Sequence, residues 1–217
     1  MSAPAWERSL EVHTAAQTHA LAAALGAVLE TGDLLVLTGE LGAGKTTFTQ
    51  GLGEGLGVRA GIISPTFVLV RIHPNLPGGP RPGGPDLVHV DAYRLESAAE
   101  IDDIDLENTM DSSVTVVEWG RGRVEHLSDS RLEVELHRTR GGAASAETPE
   151  APAEIGASPV LDFDTDDDDE PRTVVIRGFG PRWAEAPTLP GAEPLSGTMP
   201  GAGPLPGTTP QTPERNP

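Results

Sequence analysis

Gly39-Glu40-Leu41-Gly42-Ala43-Gly44-Lys45-Thr46 is the stretch on which the fold turns. It matches G-x-x-x-x-G-K-[ST], a loop whose main-chain amides cradle phosphate oxygens while its lysine reaches the β- and γ-phosphates. Lys45 is the only lysine of the chain, and the other fourteen basic residues are arginine. A compact ammonium on a flexible stem suits that reach; a planar guanidinium is a poor substitute.

The flanking residues supply the context the loop needs. Asp33-Leu34-Leu35-Val36-Leu37-Thr38 is a short apolar run with the pattern of a buried parallel strand. After the loop, Phe48, Leu52 and Leu56 recur at helical spacing. Strand, glycine-rich loop and helix in that order predict a phosphate-binding unit, with the helix N-terminus and the loop amides facing the anion. Thr46 is placed to offer its hydroxyl to Mg²⁺.

Further out, Ser9 to Val12 predicts a short strand. Thr14 and Gln17 form a capping box ahead of a helix carrying Leu21, Leu25, Val28 and Leu29 on one face, with Gly32 as its C-terminal cap. Val68 to Ile72 and Leu87 to Val90 predict an antiparallel hairpin around the Pro/Gly-dense loop 74–85. Weak helical character runs from a possible cap at Ser97 to Leu106. Val114 to Val117 form a β-branched strand ending at Glu118. Leu132 to Leu136 alternate as a half-exposed strand, and Thr173 to Ile176 should pair with it. The expected fold is an α/β phosphate-loop (P-loop) NTPase: a mostly parallel central sheet with an antiparallel hairpin, flanked by helices.

Composition limits how much of the 217-residue chain can fold. The chain has 21 prolines and 26 glycines, and the prolines cluster late. Residues 139–170, ending in an acidic run at 164–170, have little apolar surface and predict a disordered insert. Residues 185–217 predict a Pro/Gly-rich tail. The folded unit is thus expected to be 1–138 plus 171–184, enough for one domain.

Net charge is −18, with 20 acids and 11 bases through residue 140 and 13 acids against 4 bases after it. Such a balance argues against direct grip on DNA or tRNA. Cysteine is absent, which excludes disulfides, thiolate catalysis and cysteine-based zinc sites. The first residues lack the basic start and apolar run of a secretion signal, and no segment has the length and apolarity of a membrane span. A cytoplasmic protein is expected.

Hydrolysis needs more than a loop. A carboxylate at a strand end is expected to hold Mg²⁺ or orient water. The sequence offers two, Asp91 after Leu87 to Val90 and Glu118 after Val114 to Val117, and does not choose between them. Carboxyl ends of strands face the ligand crevice in an open α/β sheet. Ser64-Pro65-Thr66 lies where a γ-phosphate-sensing loop would sit, although a plain proline turn is an equal reading. His89 is expected to be a satisfied strand histidine, and Trp119 to serve packing. The absence of Asn-Lys-x-Asp, the guanine-reading motif, favours ATP over GTP.

Together, Gly39 to Phe48, Ser64-Pro65-Thr66-Phe67, His89-Val90-Asp91-Ala92-Tyr93-Arg94-Leu95 and Val117-Glu118-Trp119 resemble the TsaE (YjeE) family, bacterial ATPases required for threonylcarbamoyladenosine formation at position 37 of tRNA. The resemblance covers about residues 9–138 plus the strand near Arg172. It implies that Leu41, Gly42, Ala43, Gly44, Lys45, Thr46 and Thr47 bind ATP. Thr46 and Glu118 would hold Mg²⁺, Asp91 would be needed for hydrolysis alongside Lys45, and Thr66 would lie in a switch-like loop. Arg172 would match a late arginine near the nucleotide. The implied partner is the TsaB–TsaD pair, with tRNA met only indirectly. The alternative is a small-molecule phosphotransferase on the same scaffold. It would need an arginine-rich lid, for which Arg121 and Arg123 are the only close pair before the insert.

Overall fold

The computed structural model describes residues 3–95, 97–102, 104–138 and 170–189. Seven strands form one sheet: β1 (Trp6–Val12), β2 (Leu34–Gly39), β3 (Val70–His73), β4 (Asp86–Asp91), β5 (Ser113–Glu118), β6 (Arg131–Arg138) and β7 (Arg172–Phe179). Their spatial order is β1-β7-β6-β2-β5-β4-β3. The four central strands β6, β2, β5 and β4 run parallel. Strands β7 and β1 continue one edge, and β3 the other, as antiparallel neighbours. The sheet is therefore mixed, with the predicted β3–β4 hairpin at one edge.

Period-2 alternation divides the core between the two faces. Leu35, Leu37, Leu87, Val114 and Val116 share one cluster with Leu21 and Leu25 of α1 (Ala15–Gly26) and with Phe48 and Leu52 of α2 (Lys45–Leu56). Leu34, Val36, Val88, Val90 and Val117 face the other way. They pack with Ile101 of α3 (Ala98–Asp102), Leu106, Met110 of α4 (Glu107–Met110) and Val124.

Helix α2 carries Gly51, Gly53 and Gly55 in its interior, an arrangement that weakens an isolated helix. Packing against α1 accounts for two of them. A Cβ at Gly51 would collide with the His19 carbonyl oxygen, and one at Gly55 with that of Ala23. The missing side chains let the two helices approach, which seats the P-loop helix firmly on the sheet.

Some boundaries differ from the sequence expectation. Half of the capping box forms as expected, Gln17 N–H donating to Thr14 Oγ1 at 3.1 Å; the Gln17 side chain reaches one residue further back, accepting from His13 N–H at 2.7 Å instead of from Thr14. But α1 stops at Gly26, and Val28 is 39% exposed. Gly32 instead lies in the turn entering β2, at φ +89°, where its N–H donates to Ser113 O. Strand β1 starts at Trp6 rather than Ser9, and β3 at Val70 rather than Val68.

Strand β6 is not half-exposed. Arg131 and Glu133 are buried, because Arg131 bonds Glu133 Oε1 at 2.9 Å and stacks on Phe179 at 4.2 Å, so polar side chains cover one another. The chain also stays packed beyond Glu185. Pro187 O accepts from Arg8 Nη1 at 2.8 Å, and Leu189 is buried in the core. The remainder of the expected insert (139–169) and tail (190–217) lies outside the described residues.

Candidate functional site

The loop after β2 wraps into α2 through residues that only glycine adopts readily. Gly42 has φ +75°, and Gly44, the residue capping α2, has φ +93°. The first amides of α2 thereby have no side-chain cap and are left to an incoming anion. Thr46 and Thr47 follow directly in the first turn. The Leu41 side chain is 78% exposed, so what Leu41 offers the loop is its main chain.

Lys45 is buried. Its Nζ donates to the carbonyl oxygens of Gly39 and Glu40, both at 3.0 Å, and sits 4.2 Å from the centre of the Trp119 ring. Burial lowers its pKa below the usual lysine value, while the nearby charges of Glu118 and Asp91 act to raise it. The ammonium is thus held by its own loop, on the aromatic face of Trp119.

Parallel pairing of β4 with β5 sets Asp91 directly beside Glu118 at the carboxyl ends of both strands. Both are 3% exposed. Glu118 Oε1 meets His89 Nε2 at 2.8 Å, and the His89 ring is fully buried. Asp91 Oδ2 accepts from Thr66 Oγ1 at 2.8 Å, and Oδ1 accepts from the Tyr93 N–H at 2.9 Å. Ser64 Oγ lies 2.7 Å from Thr66 Oγ1, which ties the Ser64–Thr66 turn to Asp91. Thr66 is thus bonded to Asp91, Glu118 stands beside Asp91 across the β4–β5 pair, and the charges of both acids are felt at Lys45.

Arg172, at the start of β7, is 3% exposed and lies against the same loop. A Cβ at Gly44 would stand 3.6 Å from its Nε, a buried atom with no hydrogen-bond partner. Arg121 and Arg123 do not gather there. Arg121 pairs with Glu133 and Glu135, while Arg123 Nη1 donates to Ala92 O at 2.8 Å. With both committed to the fold, a lid of the kind a phosphotransferase uses gains no support.

For two residues the sequence reading gave a role but not the partner. Trp119 packs, as expected, but on the loop lysine. It holds φ +62°, an uncommon conformation for a bulky residue of the kind that collects at functional sites, and Tyr93 packs edge-on against it at 5.6 Å. His89 is only half satisfied, against expectation: its Nε2 meets Glu118, while its buried Nδ1 has no hydrogen-bond partner. The adjacency of His89 to Val90-Asp91 and of Trp119 to Glu118 was the only available signal, and neither spacing reveals a cross-strand contact.

The family model for "Threonylcarbamoyl adenosine biosynthesis protein TsaE" matches residues 12–145, more than half of the chain. This chain belongs to the TsaE family. The protein of Streptomyces coelicolor named "tRNA threonylcarbamoyladenosine biosynthesis protein TsaE" is 46% identical over 163 residues, covering 75% of this chain and 90% of that protein. Its namesake in Bacillus subtilis is 38% identical over 123 residues, covering 56% and 72%. The crystal structure of Bacillus subtilis YdiB superposes with a TM-score of 0.54 at 25% identity, over 82% of this chain and 89% of that one. TsaE membership agrees with the four motifs picked out by sequence, all of which fall within the matched residues. Among the described residues no helix is long and apolar enough to cross a membrane.

Proposed function

We propose that this chain is a Mg²⁺-dependent ATPase that serves threonylcarbamoyladenosine formation on tRNA, acting with the TsaB–TsaD pair rather than gripping tRNA itself. The observation that carries the reading is a glycine-shaped anion loop whose buried Lys45 lies within the electrostatic reach of two buried strand-end carboxylates, Asp91 and Glu118. Two buried acids next to one partly desolvated lysine exceed what stability asks of a strand end, and such clusters concentrate at functional sites.

The donor set fits magnesium. Mg²⁺ characteristically takes one or two protein oxygens and completes its shell with phosphate and water. Thr46 and Glu118 would hold it, and it would supply charge neutralisation on the phosphates. Lys45 would leave its carbonyl partners for the β- and γ-phosphates. Asp91, fixed by Thr66 and Tyr93, would orient the attacking water, and Thr66 would couple that carboxylate to the Ser64–Thr66 turn. Arg172 would add a cation on the far side of the loop.

Phosphate release from Mg-ATP by the full chain, alone and with TsaB–TsaD, tests this reading. Slow release that accelerates with the pair is expected. Transfer of the phosphoryl group to a metabolite instead of water would favour a phosphotransferase. Binding without turnover under both conditions would reduce the chain to a nucleotide-dependent adaptor.

A further inference from the structure

Arg138 and Arg172 stand opposite each other in the β6–β7 pairing, and both border the phosphate loop. A Cβ at Gly42 would meet Arg138 Nη1 at 3.3 Å, as one at Gly44 would meet Arg172 Nε at 3.6 Å. The two guanidiniums are held differently. Arg172 is buried, with a 3.5 Å contact from Nη1 to Glu170 O. The Arg138 side chain is 33% exposed, and its Nε donates to Glu170 Oε2 at 2.8 Å, with Nη2 on the same oxygen. The cation nearest Gly42 is therefore already neutralised by a carboxylate, itself 44% exposed.

We propose that Arg138 is a second triphosphate-facing cation of this site and that Glu170 is its resting counter-ion, displaced when nucleotide binds. The inference rests on the loop's being the nucleotide site. One observation and two general properties of charged side chains support it. The guanidinium borders the loop whose amides face an anion. Arginine prefers phosphate oxygens, which it meets in bidentate fashion. Half-exposed ion pairs contribute little, so exchanging a carboxylate for a phosphate costs little. A carboxylate left in place would instead repel the arriving polyanion. Glu170 thus sets a threshold on affinity at the point where the 139–169 segment rejoins the sheet.

Calorimetric titration of the full chain with Mg-ATP tests the proposal, using the unmodified protein, Glu170→Gln and Arg138→Gln. Glu170→Gln should tighten binding by about three- to tenfold, the scale of one screened charge near a surface. The gain should shrink as salt is raised. Arg138→Gln should weaken binding by a similar factor, with Arg138→Lys intermediate; the lysine variant also serves if the glutamine variant fails to fold. Weaker binding in Glu170→Gln together with a lower Tm would identify the pair as a strut closing the strand ends and overturn the proposal. Unmoved affinity in both variants, with saturable binding by the unmodified chain, would overturn this inference alone. No saturable binding by the unmodified chain would remove the nucleotide reading and this one with it.

Discussion

The two flanks of the sheet treat charge in opposite ways. On β1, β7 and β6, ionised groups answer one another in a chain. Glu7 meets Arg177 at 2.6 Å, Arg177 meets Glu135 at 2.8 Å, Arg121 reaches Glu135 at 3.4 Å and Glu133 at 3.7 Å, and Glu133 meets Arg131 at 2.9 Å. At the carboxyl ends of β4 and β5, two buried carboxylates stand side by side, and the nearby ammonium of Lys45 is bonded to carbonyl oxygens. The first pattern stabilises a sheet face. The second sets two buried acids side by side, each with its own partner, an arrangement of the kind that collects at functional sites.

The strongest way to break this contrast is Lys45→Ala. Turnover should fall by about 10²-fold or more, because transition-state charge loses its nearest cation. Chemical stability against urea should hold or rise, since the folded state no longer desolvates an ammonium. A turnover number close to that of the unmodified protein would dissolve the functional side of the comparison.

His89→Ala probes the join between the two kinds of charge. It strips the buried Glu118 of its partner and should cost about 2 kcal/mol in denaturant unfolding. An unchanged midpoint would mean that the Glu118–His89 contact carries no weight in the fold.

Arg177→Met should have the smallest effect. A loss of about 1 kcal/mol is expected, with Mg-ATP turnover untouched. A clear drop in turnover would show that the ionic face reaches the site. The same face predicts an acid response. Burial tends to raise the pKa of Glu135, but its bond to Arg177 and the charges of Arg121, His137 and Arg177 outweigh that and leave it lowered. A depressed carboxylate contributes stability above its unfolded value, and that contribution is lost as pH falls through the folded value. Glu135→Gln should therefore flatten the stability curve below about pH 4.3 and lower the plateau above it. Parallel curves for the two proteins would contradict the assignment.

Much of the loop and its strand-end acids was legible in one dimension. Lys45, Thr46 and the glycines sit within eight residues, because a phosphate loop is built from contiguous main chain. Asp91 and Glu118 each end a recognisable apolar run, so the topology of a parallel sheet brings them to one edge. The charged flank was less legible. Leu132 to Leu136 alternate as though one face were wet, but Arg131, Glu133, Phe179 and Arg177 come from separate strands and cover that face only once β6 and β7 pair. Gly51 and Gly55 of α2 likewise find their reason only in α1, whose carbonyl oxygens leave no room for a side chain.

By itself the sequence determined the anion loop, its single ammonium and the two strand-end acids, since local main-chain geometry and period-2 alternation are written in consecutive residues. Tertiary structure alone decided that His89 grips Glu118, that Trp119 roofs Lys45 and that Arg138 and Glu170 close beside Gly42. Each of those contacts joins residues tens of positions apart or lies across a bend, where burial and charge pairing, not spacing, select the partner.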